Sequence, residues 1–243
     1  MRRYGLIGYP LTHSFSQKYF TEKFEALGLP DCMYSNFSLK EMKELGPLLE
    51  NQIDLFGLNV TIPYKKMVLD YVTETTDVVK KIGACNCIHI HGNKITGHNT
   101  DVVGFEQSLK PFLKPHHKAA LVLGTGGSSA AVEYVLQKLG IAIQFVSRKA
   151  SDKSVSYEQV DKEMILVHQL IVNTTPLGMY PDIDFYPHIP YEFLTPQHHL
   201  YDLIYNPAET NFLAKGKARG ATTQNGQEML VLQAEESWRI WNS

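Results

Sequence analysis

Short apolar runs alternate with helical patterns in the first part of the chain. Runs of apolar residues predict strands over 4–8, 33–37 and 55–60. Apolar positions at three- and four-residue spacing predict helices over 15–27 and 39–49. This order of strands and helices indicates an α/β architecture.

Proline and glycine divide the segment that follows. Pro63 is expected to end the third strand and to open a helix over 64–71. The dipeptide Gly92-Asn93 stands between alternating runs over 87–90 and 94–96. This pattern predicts a hairpin of two antiparallel strands.

The pattern changes near Lys118, where a βαβ unit is predicted to begin. The continuous apolar run 119–123 is typical of a strand buried on both faces of a parallel sheet. A helical pattern over 130–139, a stop at Gly140 and a second apolar run over 141–146 complete the unit.

Later apolar runs are expected to extend the same sheet. Runs over 170–173 and 200–204 predict two further strands, each followed by a loop at its carboxyl end. Leu230, Ala234 and Trp241 share one helical stripe, so the closing helix is predicted to dock on a hydrophobic surface.

Composition narrows the class of protein. The chain has 243 residues, and 44% of them are hydrophobic, which is enough for a substantial core. Lysine and arginine number 23 against 25 aspartates and glutamates, so there is no basic excess of the kind that binds a nucleic-acid backbone. No apolar stretch approaches the roughly 20 residues of a membrane-spanning helix. Glycine and proline interrupt the apolar start before a signal-peptide core can form. We expect a cytoplasmic protein without nucleic-acid or membrane partners.

Cysteines and histidines give no signature of a metal site. The odd set Cys32, Cys85 and Cys87 lacks the spacing of zinc knuckles and redox motifs, so we expect reduced, buried thiols. The pairs His116-His117 and His198-His199 are interpreted as solvated loop residues, and no metal is predicted.

A glycine turn follows the run 119–123 directly. It reads Gly124-Thr125-Gly126-Gly127-Ser128-Ser129. Such a turn lets a pyrophosphate approach the backbone, and the next helix offers N–H donors at its positive end. Ser129 stands where a third glycine is usual, and it is small enough for close helix packing. An ordinary tight turn is the alternative, but the flanking strands and helix favour dinucleotide binding.

The end of the next strand favours NADP over NAD. An NAD site needs an acidic residue there for the ribose 2′-hydroxyl, whereas a 2′-phosphate needs cations. The chain has Ser147-Arg148-Lys149 and no acid before Asp152. Arg148 can stack on adenine and bind phosphate oxygens. A solvated basic turn is the alternative.

Two hydroxyls precede the first helix. Ser14 and Ser16 stand at alternate positions and could both face one anion, such as a substrate carboxylate. A helix cap is the alternative, and it is the interpretation favoured by these residues alone.

Lys65 and Asp101 are candidates for acid/base chemistry. Lys65 is expected in the first turn of the helix after Pro63, where the helix dipole disfavours a cation, so we interpret it as functional. A lysine in a partly desolvated cleft can exchange a proton with a hydroxyl or carbonyl oxygen. Asp101 is expected at the junction between the halves, where it could bond to the same oxygen. Capping of the following helix is the alternative for Asp101.

Five segments, in order along the chain, resemble the signatures of the shikimate dehydrogenase family. They are 57–65 (GLNVTIPYK), 82–86 (IGACN), 97–101 (GHNTD), 173–179 (NTTPLGM) and 201–207 (YDLIYNP). The resemblance implies reversible NADPH-dependent reduction of 3-dehydroshikimate to shikimate, on the chorismate route to aromatic amino acids.

The same resemblance implies a fold and its domains. It implies an N-terminal α/β substrate domain, residues 1–101, completed by the C-terminal helix over 226–243 that returns to it. A Rossmann-type NADP-binding domain is implied over 102–225. Shikimate and 3-dehydroshikimate are the implied small-molecule partners, and a homodimer is one option.

The resemblance also implies a role for each matching residue. Lys65 is implied as the catalytic acid/base, with Asp101 as its partner at the reacting oxygen. Ser14 and Ser16 would bind the substrate carboxylate. The remaining residues implied to contact substrate are Thr61, Asn86, Tyr205 and Gln233. Those implied to bind or border NADP are Asp77, Gly124, Thr125, Gly126, Gly127, Ser128, Ser147, Arg148, Lys149, Leu203 and Gly226.

The chain departs from the family pattern at a few positions. Gln17 replaces a proline, Cys87 replaces a threonine, and Ser147-Arg148-Lys149 replaces Asn-Arg-Thr with its arginine kept.

Two other functions stay open. A quinate/shikimate dehydrogenase that uses NAD is disfavoured by Arg148 without a neighbouring acid. A noncatalytic NADP-binding sensor is disfavoured by the intact pair of Lys65 and Asp101.

Overall fold

The chain folds into two units. It crosses from the first to the second after Thr100 and returns to the first within its last helix. The computed structural model describes residues 1–11, 14–51 and 54–243. The first unit comprises Met1–Thr100 and Ala234–Ser243, and the second comprises Asp101–Gln233.

A mixed sheet forms the centre of the first unit. Its strands are β1 Arg2–Gly8, β2 Cys32–Ser38, β3 Leu55–Val60, β4 Glu74–Thr75, β5 Cys87–His91 and β6 Lys94–His98, in the order β2-β1-β3-β5-β6-β4. Strand β1 pairs in parallel with β2 and β3. Strand β5 is antiparallel to β3 and to β6, which confirms the predicted hairpin. The helices of this unit are α1 Phe15–Ala26, α2 Leu45–Asn51 and α3 Asp77–Ile82.

Separate hydrophobic clusters line this sheet. One includes Leu58 and Ile88, and the other is aromatic, with Phe20, Tyr34 and Trp241. The indole of Trp241 donates a hydrogen bond to the Ile88 carbonyl at 2.9 Å. Glycine at position 57 permits this approach, because a Cβ there would lie 2.2 Å from the indole nitrogen. The end of the chain therefore docks in the first unit, as the predicted fold class requires.

Two predicted helices differ from the structure. Over 39–49, the N–H of Leu39 still donates to Gly8 of β1, so the helical segment starts only with a 3₁₀ turn at Met42–Glu44. Over 64–71, residues 62–66 form a turn that leads into a 3₁₀ helix, Met67–Tyr71. No α-helix forms there because the Lys65 carbonyl accepts a hydrogen bond from the Cys85 N–H at 2.7 Å.

A parallel sheet forms the centre of the second unit. Its strands are β7 Ala119–Leu123, β8 Ala142–Ser147, β9 Ser154–Ser156, β10 Leu170–Asn173, β11 His199–Asp202 and β12 Thr222–Gln224, in the order β12-β11-β10-β7-β8-β9. This order is that of the Rossmann fold, in which the strand order reverses between the first and fourth strands of the sheet. The remaining helices are α4 Asp101–Leu109, α5 Ser129–Lys138, α6 Lys162–Val167, α7 Asn211–Lys217 and α8 Gln227–Trp241. The predicted fold class is confirmed.

The prediction of solvated histidines is wrong for most of the residues it named. His117, His198 and His199 are buried, and only His116 of the two pairs is exposed. His199 stacks on Phe112, with ring centroids 5.0 Å apart. Burial lowers the pKa of His199 to about 4, so it is neutral at physiological pH.

The three cysteines are free thiols, buried at Cys85 and Cys87 and half-buried at Cys32.

Within the described ranges, no helix has the length and apolar character that crossing a membrane needs.

Candidate functional site

In the first unit, the proposed substrate residues follow strands that end at one edge of the sheet. Ser14 and Ser16 come after β1, and Thr61 and Lys65 come after β3, which runs parallel to β1. The Thr61 N–H donates to the carbonyl of Ile7 in β1 at 2.9 Å. Their shared edge is therefore the carboxyl end of two neighbouring strands.

Asn86 reaches the same edge from the opposite direction. It precedes β5, which is antiparallel to β3, and its carbonyl accepts a hydrogen bond from the Val60 N–H at 2.8 Å. Its side chain is held by Thr100, whose N–H donates to Asn86 Oδ1 at 2.6 Å. Asn86 Nδ2 in turn donates to Thr100 Oγ1 at 3.0 Å. Thr100 thus helps to fix the orientation of the buried Asn86 amide.

Lys65 is half-buried in the turn after β3. The adjacent Tyr64 is buried, and its hydroxyl donates to the Leu39 carbonyl at 2.7 Å. Together with the bond from Cys85 to the Lys65 carbonyl, this anchors the backbone on both sides of the lysine. Lys65 precedes a 3₁₀ helix and lies in no α-helix, so the predicted unfavourable effect of a helix dipole on it is wrong. Its candidacy rests on its position at the strand edge and on the 57–65 motif.

Several predicted residues of the second unit lie outside the glycine turn. Asp101 is buried as the first residue of α4, and Gln233 is buried within α8. Tyr205 is exposed after β11. Gly226 packs against the backbone so closely that a Cβ would lie 2.1 Å from the Leu203 carbonyl oxygen, which explains the glycine.

The glycine turn opens a cavity of about 420 Å³ at the carboxyl ends of β7, β8 and β10. Its lining comprises Gly124, Thr125, Gly126, Ser147, Arg148, Tyr157, Thr174, Thr175, Pro176 and Leu177. This is the point where the strand order reverses, which is where open α/β sheets bind ligands. The first five of these lining residues are among the predicted cofactor residues.

The backbone of the turn depends on its glycines. Gly124 has a φ of +102°, and a Cβ there would lie 2.8 Å from Thr174 Oγ1. A Cβ on Gly126 would meet no atom of the described residues within 4 Å, so the backbone of Gly126 faces open space. Ser129, in the place of the third glycine, is buried, and its hydroxyl donates to the Gly126 carbonyl at 2.6 Å. The serine therefore fits the close contact between helix and strand.

Arg148 is exposed at the rim of this cavity. Hydroxyls fix the loop that carries it: Ser147 Oγ lies 3.0 Å from Ser154 Oγ, which lies 2.8 Å from Ser151 Oγ. Ser147 also donates to the Lys149 carbonyl. The short β9 strand thus holds the basic loop against the end of β8.

A buried carboxylate organises the opposite wall of the cavity. Asp202 accepts hydrogen bonds from Thr210 Oγ1 at 2.6 Å and from Asn173 Nδ2 at 3.0 Å. Asn173 Oδ1 accepts two more from Thr175, through its N–H and its hydroxyl. Burial raises the pKa of Asp202 to about 6, and the hydrogen bonds that Asp202 accepts from Thr210 and Asn173 oppose the rise. The loop 174–177 is therefore positioned by side chains within its own unit.

Other predicted cofactor residues do not line the cavity. Gly127, Ser128 and Lys149 lie beside the lining residues in sequence, and Leu203 and Gly226 follow β11 and β12. Asp77 belongs to the first unit, where it is exposed at the start of α3 and lies 3.3 Å from Lys80 Nζ. Its cofactor role stays a prediction.

Five residues that line the cavity were not predicted from the sequence. Thr174, Thr175, Pro176 and Leu177 lie inside the 173–179 motif, so that motif was a usable signal. Tyr157 follows β9, a three-residue strand with no apolar run to reveal it. Its hydroxyl is buried and has no hydrogen-bond partner in the part of the chain that the structure describes.

Known proteins resemble this chain over almost its whole length. The family model described as "Shikimate dehydrogenase substrate binding domain" matches residues 6–88. A shikimate dehydrogenase (NADP(+)) from Clostridium beijerinckii is 38% identical, over 99% of this chain and 92% of that protein.

Solved structures agree with this similarity. A shikimate dehydrogenase in complex with NADP+ superposes with a TM-score of 0.90 and 30% identity, over 99% of this chain and 90% of the other. The Thermus thermophilus shikimate 5-dehydrogenase in complex with NADP(H) and shikimate gives a TM-score of 0.87 and 30% identity, over 99% and 93%.

Proposed function

The chain belongs to the shikimate dehydrogenase family, and we propose on that premise that it reduces 3-dehydroshikimate reversibly to shikimate with NADPH, in aromatic amino-acid biosynthesis. One observation carries the proposal. Ser14, Ser16, Thr61, Lys65 and Asn86, which the family resemblance links to substrate, all follow or precede strands at one edge of the first sheet.

The glycine turn and its cavity fit NADP. A side chain at Gly126 would occupy space that the protein itself leaves open, and Arg148 supplies a cation at the rim. In this proposal Gly124, Gly126 and the start of α5 bind the pyrophosphate, and Arg148 with Lys149 binds the 2′-phosphate. When bound, NADPH supplies the hydride.

The side chains of the first unit hold the acid and its ring. Ser14 and Ser16 donate hydrogen bonds to the carboxylate, and Thr61 and Asn86 bind ring hydroxyls. The family resemblance also assigns substrate contacts to Gln233 and Tyr205. Fixed donors of this kind hold the ring in the reacting orientation, which lowers the entropic part of the barrier.

Lys65 supplies the proton. Reduction of the ketone adds a hydride to carbon and a proton to oxygen, so negative charge develops on that oxygen. The Lys65 ammonium stabilises this charge and then donates its proton to form the hydroxyl. The family resemblance assigns Asp101 a hydrogen bond to the same hydroxyl when shikimate is oxidised in the reverse direction. A homodimer and a cytoplasmic location stay predictions from the sequence.

An absorbance assay of NADPH or NADH formation tests the proposal against both alternatives. The purified protein is given shikimate or quinate with NADP+ or NAD+, and the fastest turnover is expected for shikimate with NADP+. Faster turnover of quinate with NAD+ would identify the alternative dehydrogenase. Binding of NADPH without turnover of either acid would identify a sensor.

A further inference from the structure

A chain of buried hydrogen bonds crosses the first unit from β2 to the end of β6. The Tyr34 hydroxyl donates to Asn59 Oδ1 at 2.8 Å, and Asn59 Nδ2 donates to Ser237 Oγ at 2.9 Å. Ser237 Oγ lies 3.3 Å from Thr100 Oγ1, and Thr100 holds Asn86. All five side chains are buried.

Both ends of this chain are residues of the proposed substrate site. One end is Asn86. At the other end, the Ser16 side chain lies beside the Tyr34 hydroxyl, where it opposes the larger rise in the pKa of Tyr34 caused by burial. Two substrate contacts that are far apart in sequence are therefore connected through the interior of one unit.

Ser237 is the link between the two ends. It lies on α8, in the segment Ala234–Ser243 that returns to the first unit, and its side chain is fully buried. Its oxygen accepts a hydrogen bond from the Asn59 amide and lies within hydrogen-bonding distance of the Thr100 hydroxyl. Ser237 therefore joins the Tyr34–Asn59 pair to the Thr100–Asn86 pair. Cys87, where the family has threonine, also faces Ser237.

We propose that Ser237 is a positioning residue that fixes Thr100, and through it the Asn86 amide, in the orientation that binds a substrate hydroxyl. This inference rests on the proposed function. Buried polar groups in a fully connected network hold their partners in one arrangement, whereas loss of one member leaves its neighbours to reorient. Thr100 and Asn59 are positioning residues of the same network.

Three variants and a matched control test the proposal in the full-length protein. Ser237→Ala and Thr100→Val each remove one hydroxyl, and Thr100→Ser keeps it. The control, Ser108→Ala, removes a fully buried serine hydroxyl from α4, where it contacts the Gly104 carbonyl and the Tyr201 hydroxyl, outside the network.

The expected result separates positioning from stability. Ser237→Ala and Thr100→Val raise the KM for shikimate about tenfold, as expected for one weakened hydrogen bond, and leave the KM for NADP+ unchanged. Thr100→Ser retains the wild-type KM, and Ser108→Ala lowers the melting temperature without changing the KM for shikimate. If Ser237→Ala does not fold, Thr100→Val and Thr100→Ser carry the comparison.

Two results would overturn the inference. One is a wild-type KM for shikimate in Ser237→Ala, or in Thr100→Val if that variant alone folds. The other is an equal rise in the KM values for shikimate and NADP+, which indicates a general structural role. A wild-type protein that does not oxidise shikimate would refute the proposed function first, and this inference with it. Activity in the wild type together with unchanged variants would refute the inference alone.

Discussion

The N–H of Gln17 donates a hydrogen bond to the Ser14 hydroxyl oxygen at 3.1 Å, so Ser14 is the N-cap of α1. The capping interpretation of Ser14 is therefore confirmed. A serine hydroxyl can accept this bond and still donate its own hydrogen to a carboxylate, so a cap and a substrate contact are compatible. The proline usual in the family at position 17 has no N–H, and it could not make this bond.

Substitution of Ser14 separates the two roles. Ser14→Ala should lower the free energy of unfolding by about 1 kcal/mol, because it removes the cap, and should raise the KM for shikimate. Ser14→Asp keeps a capping oxygen but opposes the substrate carboxylate with a like charge. Urea unfolding and steady-state kinetics measure both effects. Wild-type shikimate affinity in Ser14→Asp would exclude the carboxylate contact.

Gly126 tests the location of the pyrophosphate. A Cβ at this position meets no atom of the described protein within 4 Å, so Gly126→Ala should fold normally. The same methyl group would occupy the space assigned to the cofactor, so the Kd for NADPH should rise by at least about tenfold. Gly46→Ala, which also meets nothing within 4 Å, is the matched control and should leave the Kd unchanged. Equal Kd values in the two variants would place the pyrophosphate elsewhere.

Arg148 tests the choice of dinucleotide. Charge-assisted hydrogen bonds to a phosphate contribute about 1.5 to 3 kcal/mol each, so Arg148→Ala should weaken NADPH binding by roughly tenfold or more. Binding of NADH, which has no 2′-phosphate, should change little. Titration of both cofactors measures the ratio, and Lys118→Ala, another exposed cation of this unit, serves as the control. An equal loss for NADPH and NADH would contradict a 2′-phosphate contact.

Lys65 has a matched neighbour for the test of catalysis. Positioned acids and bases accelerate reactions by about 10² to 10⁴, so Lys65→Ala should lower kcat by orders of magnitude and leave the Kd for NADPH nearly intact. Lys66 is the adjacent, exposed lysine, and Lys66→Ala should keep most of the activity. Near-normal turnover in Lys65→Ala would remove this lysine from the mechanism.

The sequence revealed strands where burial is continuous. The bounds of β3, β7 and β10 match the predicted runs, because every residue of β7 and β10 is buried and all but one of β3. Tyr64 and Val68 are buried four residues apart, as in a helix, yet the segment is a turn and a 3₁₀ helix. The pattern of hydrophobic residues does not reveal the hydrogen bond from the Cys85 N–H to the Lys65 carbonyl, which interrupts an α-helix there.

Part of the site was predicted from the residues alone, because Lys65, Asp101 and the glycine turn were candidates on their positions in the chain. Asn86 was identified only because it lies in a signature with fixed neighbours. The strand pairing that brings the segments of Lys65 and Asn86 together could not be predicted from spacing. The cavity position of Tyr157 and the burial of the histidines were not predicted, because no local sequence pattern indicates them. These environments depend on residues far away in the sequence, such as Gln197, whose carbonyl contacts His117.

His199 should make the stability of the protein depend on pH. Burial lowers its pKa to about 4 from an ordinary value near 6.5, so the unfolded chain takes up a proton at a pH where the folded protein does not. The contribution of His199 to stability is therefore complete above about pH 6.5 and is lost as the pH falls from there toward about 4. The pKa of Asp202 is raised by burial to about 6, and its protonation in the folded state partly offsets this loss.

A variant isolates the histidine from these other groups. His199→Gln keeps a neutral polar side chain beside Thr222 and Gln224, and Asp202 and His117 stay the same in both proteins. Between about pH 7 and pH 5, the wild type should lose about 2 kcal/mol more unfolding free energy than the variant, since each pKa unit corresponds to about 1.4 kcal/mol. Urea unfolding at the two pH values measures the difference. Parallel losses in the two proteins would show that His199 takes up no proton on unfolding in this range.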